Sequence, residues 1–292
     1  MNGFRGRVAV VTGAARGLGE ALARGLARRG ARVALVDRNP AVIAVAGGLG
    51  VDCSGHVVDV ADRGAVEALA QAVVERYGRV DLLVNNAGVA VAGEFESVPH
   101  ADFEWLMNVN FWGVVHGCRA FLPFLRRAAS VAVEATTAPS TSTDSTTPAK
   151  RTRGRPAAHI VNVVSSFAWL GFPGKSAYSA SKAAVRAFSE SLRAELATQS
   201  VGVTLLFPGP LDTGLIRDGR ATDSAQRDEE AAFVAARAIP LERVVARTLR
   251  GIERNAARVV IGADYRLLDA AVRLSPTGTL AAVTRARRRF PF

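Results

Sequence analysis

Thr12-Gly13-Ala14-Ala15-Arg16-Gly17-Leu18-Gly19 stands between two segments of opposite character. Arg7–Thr12 before it is a short β-branched run, and Leu18–Arg29 after it reads as a helix. A strand that ends in a glycine-rich turn and reopens as a helix presents backbone N–H groups and the positive end of a helix dipole, and glycines let a pyrophosphate come close to them. A glycine turn alone is a weak signal, so the weight rests on the residues downstream of it. Asp37 closes a second strand, Arg32–Val36, 18 residues after Gly19. A carboxylate there can accept hydrogen bonds from an adenosine ribose. The plainer alternative for Asp37 is a solvated turn before Asn39-Pro40.

Strand-like and helix-like segments continue to alternate along the chain. A third strand is read at Gly55–Asp59, a helix over Arg63–Tyr77 and a strand at Val80–Asn85. A long helical pattern runs from about Ala101 to Leu125, and Ile160–Val164 is the next strand. Ala177–Thr198 reads as a helix, Val201–Phe207 as a strand, Leu241–Arg254 as a helix and Arg258–Ile261 as a seventh strand. This order predicts an α/β domain: a doubly wound parallel sheet of about seven strands with helices on both faces. Continuous apolar strands such as Val80-Asp81-Leu82-Leu83-Val84 suit a sheet covered on both sides.

The 292 residues, 49% hydrophobic and 22% charged, suffice for one large core. The expected organisation is a catalytic domain over 1–264, interrupted at about 128–157, and a helical, basic extension over 265–292. Within the interruption, Ala135–Ala149 holds Ser, Thr, Pro and Ala and no large apolar side chain, so it is expected to stay disordered. The net charge of +11 is uneven. Arg126, Arg127, Lys150, Arg151, Arg153 and Arg155 lie in or beside the interruption, and Arg285, Arg287, Arg288 and Arg289 in the tail, which leaves the remainder close to balanced. No apolar run reaches the roughly 18–20 residues that span a bilayer, and Cys53 and Cys118 have neither disulfide nor metal-ligand spacing. A cytoplasmic protein with no metal is expected.

Tyr178-Ser179-Ala180-Ser181-Lys182 carries the chemistry. On a helix Tyr178 and Lys182 lie one turn apart on one face. A phenol has a pKa near 10, and a neighbouring ammonium favours its ionised form, so the pair is expected to make Tyr178 a usable acid/base.

Taken with the glycine spacing, Asp59-Val60 after the third strand and Asn85-Asn86-Ala87-Gly88 after the fourth, this motif makes the chain resemble the short-chain dehydrogenase/reductase family. The likeness covers roughly Arg5 to Ile261 and implies a Rossmann-type fold and an NAD(P)-dependent oxidoreductase acting on CH–OH donors. By this resemblance Gly13, Arg16, Gly17, Leu18, Gly19, Asp37 and Arg38 hold the cofactor, Asp59 and Val60 border its adenine, and Asn86, Ala87 and Gly88 line it. Pro208, Gly209 and Thr213 would flank the nicotinamide, with Thr213 on its carboxamide, and Lys182 would bond the ribose. Asn110 would hold a water in a proton relay to Lys182.

Ser165 and Ser166 compete for the catalytic serine. The family usually places it three residues after a strand asparagine and 13 before the tyrosine, and counting from Asn162 and from Tyr178 selects Ser165 both times. A shift of one residue to Ser166 stays open. The proposed chemistry is hydride transfer at the nicotinamide with Tyr178 passing the proton and Ser165 hydrogen-bonding the substrate oxygen. Phe167, Trp169, Phe172 and Leu215 fall where the family faces its substrate, and their apolar character points to a lipophilic alcohol, ketone or aldehyde, steroid-like or acyl. Packing of the lid or of a subunit contact is the alternative.

Asp37 favours NAD, while Arg16 and Arg38 leave NADP open. A non-catalytic nucleotide sensor of the same fold is the competing class, and intact Ser165, Tyr178 and Lys182 argue against it. Lys150-Arg151-Thr152-Arg153-Gly154-Arg155-Pro156 resembles a minor-groove AT-hook, but nucleic acid is not the expected partner. A homodimer or homotetramer is implied by the resemblance alone. The tail, with Leu267, Leu268, Ala271, Val272 and Leu274 ahead of its arginines, can pack on the body, join a subunit interface or lie on an anionic membrane surface.

Overall fold

The computed structural model describes residues 3–137 and 156–286, with the backbone alone of 132–137. Seven parallel strands form one sheet: β1 (Val8–Thr12), β2 (Arg32–Asp37), β3 (Cys53–Val57), β4 (Leu82–Asn85), β5 (Ala158–Val163), β6 (Val201–Phe207) and β7 (Arg258–Val260). Their spatial order is β3-β2-β1-β4-β5-β6-β7. The chain works outward from β1 to one edge, returns, and works outward to the other, which opens a crevice at the carboxyl ends of β1 and β4. Ten helices accompany the strands among the described residues: α1 (Gly17–Ala27), α2 (Ala41–Gly47), α3 (Arg63–Tyr77), α4 (His100–Met107), α5 (Gly113–Thr137), α6 (Ser176–Glu195), α7 (Ser224–Ala235), α8 (Leu241–Glu253), α9 (Ala263–Leu274) and α10 (Pro276–Arg285).

Alternation along the strands builds the two halves of the core. Val8 and Val10 face one layer with Leu69 and Val73 of α3, Phe121 and Leu125 of α5 and Val185 of α6. Ala9 and Val11 face the other, with Leu22 and Leu26 of α1, Val42 of α2 and Val245 and Leu249 of α8. Period-two side chains buried on both faces are what a covered parallel sheet requires.

Several element boundaries differ from the sequence reading, each for a local reason. The third strand begins earlier because Cys53 pairs in register with Val33 and Val57 with Asp37, which leaves Asp59 in the turn beyond. The fourth strand begins later, since Asp81 is buried and its carboxylate accepts from the backbone N–H of Val8 and from Arg79. The long helix is divided by a π-helical turn at Asn108–Trp112, a distortion that frequently marks functional positions. α5 runs on to Thr137, past the point near 128 where the interruption was expected. The remainder of Ala135–Ala149, most of the AT-hook-like segment and the final arginines lie outside the described residues. The described part of the C-terminal extension packs on the body: Tyr265, Leu268 and Val272 lie against the α3/α5/α6 layer, while Leu267 and Leu274 are exposed. Among the described residues no helix is long and apolar enough to cross a membrane.

Candidate active site

The crevice is a continuous cavity of about 670 Å³ running from the glycine turn to Tyr178. At its nucleotide end Gly13 has φ +65°, and a Cβ there would lie 2.8 Å from the Ala87 Cα. A Cβ on Gly19 would lie 2.1 Å from the Gly13 carbonyl oxygen, so the turn closes this tightly only with glycine at both places. Thr12 fastens the turn to β4: its Oγ1 accepts from the backbone N–H groups of Asn86 and Ala87, both at 3.0 Å. Asn86 returns its side-chain amide to the carbonyls of Thr12 and Gly13. The first turn of α1 has no side-chain cap, and Gly17 and Leu18 line the cavity, so its free N–H donors sit where an anion can meet them.

At the rim, Asp37 Oδ2 accepts from Ala15 N–H at 3.0 Å and Oδ1 from Asn39 N–H at 2.9 Å. Arg16 is engaged across the mouth with Asp218 at 2.5 Å, whereas Arg38 lies exposed beside Asp37 on the cavity wall. Asp62, not Asp59, caps α3 through Ala65 N–H. Asp59 instead accepts from Ala61 N–H and, with Val60, faces the cavity. Gly88, Pro208, Gly209 and Thr213 complete the wall toward the far end.

The chemical end is set by β5 and α6. Ser165 lies two residues beyond β5 and opens a 3-10 turn, Ser166–Ala168, with its Oγ accepting from Phe167 N–H. The two serines then part company. Ser165 is turned toward the Tyr178 hydroxyl, whose pKa it lowers, and Ser166 likewise toward that of Tyr265 on α9. Lys182 donates to the Val163 carbonyl at 3.2 Å and lies 5.8 Å from the centre of the Tyr178 ring. Deeper still, Asn85 donates to Asn162 at 2.8 Å and Asn162 to Ser189 at 2.8 Å, a satisfied buried network that ties β4, β5 and α6 together.

Three expectations change. The first is the acidity of Tyr178: burial pushes the phenol up to about 12, against the lowering effect of the Ser165 hydroxyl, and the negative Glu230 adds to the rise. The same loss of solvent pushes Lys182 down to about 8. A four-residue spacing guarantees proximity but says nothing of burial, and burial wins here. Second, Trp169 is not a cleft residue. The 3-10 turn sends Phe167 edge-on to Tyr178 at 5.7 Å between ring centres, and two residues later sends Trp169 into the core against Phe207 at 4.8 Å. Third, Asn110 is fully buried behind the wall. Its oxygen accepts from Val89 N–H, and its amide hydrogens go to the Val89 carbonyl and Ser181 Oγ. It nevertheless neighbours the lysine, since a Cβ on Gly88 would lie 3.2 Å from Asn110 Oδ1 and 3.5 Å from Lys182 Nζ.

Phe172 and Leu215 do reach the cavity. Sequence reading missed Lys175, Glu230, Phe233, Tyr265, Leu268 and Val283, all on its wall. Lys175 stands three residues before Tyr178, the one signal that could have marked it; the others are brought in by α7, α9 and α10, whose position along the chain gives no hint of the cleft.

The profile of the short chain dehydrogenase family matches residues 7–142 and 137–224. The chain is a short-chain dehydrogenase/reductase. Across 282 residues, 94% of this dehydrogenase and 92% of its relative, it is 35% identical to SadH of Mycobacterium tuberculosis, a protein that carries the name of an oxidoreductase. An 11-beta-hydroxysteroid dehydrogenase-like protein of Arabidopsis thaliana, 4A, is 36% identical over 228 residues, 72% of this chain and 62% of the plant protein. The crystal structure of a short chain dehydrogenase/reductase from Burkholderia phymatum in complex with NAD superposes with a TM-score of 0.77 at 29% identity, covering 94% of this chain and 96% of that one. The dehydrogenase is thus an oxidoreductase of a family that uses NAD or NADP.

Proposed function

We propose that this dehydrogenase interconverts a lipophilic alcohol with its ketone or aldehyde, using NAD, with Tyr178 as the proton donor and acceptor. One observation carries the reading: Ser165, Tyr178 and Lys182 converge on one end of a cavity whose other end is an uncapped helix N-terminus behind a glycine turn. The residues suit a dinucleotide, with Gly17 and Leu18 N–H groups at the phosphates, Asp37 at the adenosine ribose and Lys182 and Thr213 near the nicotinamide. When bound, that cofactor supplies or accepts the hydride. Ser165 orients the substrate oxygen and hydrogen-bonds it as charge develops. Tyr178, raised by burial and therefore protonated at neutral pH, is poised to give its proton to that oxygen. Lys182, close to neutrality in its own titration, is an ammonium whose charge responds to small changes around it. Asn110 holds the Val89 loop and α6 in register beneath the pair.

NAD is favoured because the Asp37 carboxylate is fixed by two backbone N–H groups while Arg16 is committed to Asp218. A 2′-phosphate would meet a fixed negative charge with Arg38 as its main counterweight. The lipophilic substrate is supported by the wall of Phe167, Phe172, Leu215, Phe233, Val234 and Leu268, and by the hydroxysteroid dehydrogenase name of a relative. A screen of lipophilic alcohols and ketones with NAD and NADP, monitored by absorbance of the reduced nicotinamide, tests the reading. Turnover of sugars or small polar alcohols alone would count against it.

A further inference from the structure

A buried charged pair lies among the apolar side chains of the cleft's substrate end, whose wall also carries Arg237 and Asp264. Lys175 immediately precedes α6, Glu230 lies on α7, and each is 4% exposed. The Lys175 Nζ donates to Glu230 Oε2, and both side chains line the cavity that holds Ser165 and Tyr178. Removing two charges from water is costly, and a structural strut between α6 and α7 could be built from apolar side chains at least as well. An ammonium has three donors. Among the described residues Glu230 is the hydrogen-bond partner of the Lys175 ammonium, and because the side chain lines the cavity its remaining donors can face a ligand there.

The location gives those donors a use. Lys175 stands three residues ahead of Tyr178, and both line the same cavity. A substrate whose reacting oxygen faces Tyr178 and Ser165 would bring an oxygen on an adjacent or next carbon to Lys175. The pair is neutral as a whole. Glu230 can take the hydrogen of a hydroxyl but repels a carboxylate.

We propose that Lys175, held by Glu230, donates a hydrogen bond to a second, uncharged oxygen of the substrate, so that the preferred substrates are lipophilic alcohols or ketones bearing a neighbouring hydroxyl or carbonyl group. This rests on the oxidoreductase reading above and narrows its substrate class.

The test compares kcat/KM for three substrates on one lipophilic skeleton: the simple alcohol, the vicinal diol and the α-hydroxy acid. A hydrogen bond to a charged group corresponds to roughly a 10- to 150-fold preference, so the wild-type enzyme should favour the diol over the simple alcohol by at least about tenfold and disfavour the acid. In the double variant Lys175→Met/Glu230→Leu, which strands neither charge, the diol preference should collapse toward one. Equal wild-type rates for diol and alcohol, or a preference for the acid, overturn the proposal without any variant. So does a double variant that slows both substrates equally, which would make the pair a strut for α7. Loss of the wild-type preference in Lys175→Gln/Glu230→Gln, which keeps a neutral hydrogen-bonded pair, supports the need for the ammonium. Absence of wild-type turnover with every arm, with either dinucleotide, is a different failure: it refutes the proposed function and this inference with it.

Discussion

Asp37→Ala should convert the enzyme from NAD to NADP preference, and the size of the change can be worked from its contacts. A ribose hydroxyl donating to a carboxylate contributes about 1.5–3 kcal/mol, so its loss should lower kcat/KM for NAD by roughly 10- to 150-fold. For NADP the wild-type penalty is repulsion between the carboxylate and the 2′-phosphate. Two unit charges about 4 Å apart repel by about 1 kcal/mol in water and about 4 kcal/mol at the effective dielectric of a protein surface. Asp37 is part-buried at the rim, so the lower half of that range applies, and the variant should gain about fivefold or more with NADP. The ratio of the two kcat/KM values should therefore move by about 100-fold, measured with one alcohol at fixed ionic strength. Because Asp37 also holds Ala15 N–H at 3.0 Å, the loop itself loosens in the alanine variant. Asp37→Asn removes the charge while keeping one acceptor, so it should gain with NADP and lose less with NAD. The reasoning is refuted if wild-type enzyme already prefers NADP tenfold, or if Asp37→Ala lowers both cofactors equally, which would make the carboxylate a brace for the turn and nothing more.

Burial of Tyr178 predicts a directional pH profile: a phenol raised to about 12 is protonated at neutral pH, so carbonyl reduction should stay level from about pH 7 to 8 while alcohol oxidation, which needs the ionised oxygen, rises about tenfold per pH unit; an oxidation plateau below about pH 8 would contradict it. Ser165→Ala should cost roughly 10²–10³ in kcat, the scale of a lost oxyanion donor, whereas Ser166→Ala, whose hydroxyl serves Tyr265, should cost far less; the reverse ranking would move the site by one residue. Trp169→Ala should lower unfolding stability by about 3–5 kcal/mol through loss of its contact with Phe207, read by denaturant melts, and leave KM for lipophilic substrates in the folded enzyme unchanged. A raised KM at wild-type stability would return Trp169 to the cleft.

The parts of the site that lie on one element were legible in the sequence. Gly13, Gly17 and Gly19 mark a turn because a strand-like and a helix-like segment flank them, and the counts implied by the family resemblance, from Asn162 and from Tyr178, point to Ser165 while leaving Ser166 open. Two kinds of information were not there. Direction within irregular turns is one: three aromatic residues come soon after Ser166, and a single 3-10 turn sends Phe167 toward Tyr178 and Trp169 into the core against Phe207. Tertiary burial is the other. In Asp228-Glu229-Glu230 nothing marks the third carboxylate as the one that meets Lys175, and the apolar periodicity of the C-terminal stretch gives no sign that Tyr265 and Leu268 close the cleft. The acidity of Tyr178 belongs with these. The sequence spacing places Lys182 beside it, and only the packed structure shows desolvation outweighing that neighbour.

The most direct test of the account is Tyr178→Phe, assayed for turnover and, separately, for dinucleotide binding by protein fluorescence. The substitution removes one oxygen from a buried ring that still packs against Phe167, so the fold and the nucleotide end should survive. The account predicts turnover lost by at least about 10²-fold, the lower scale of a positioned acid/base, with NAD affinity within a few-fold of wild type. Turnover retained at near wild-type rate, with binding intact, would contradict Tyr178 as the group that moves the proton.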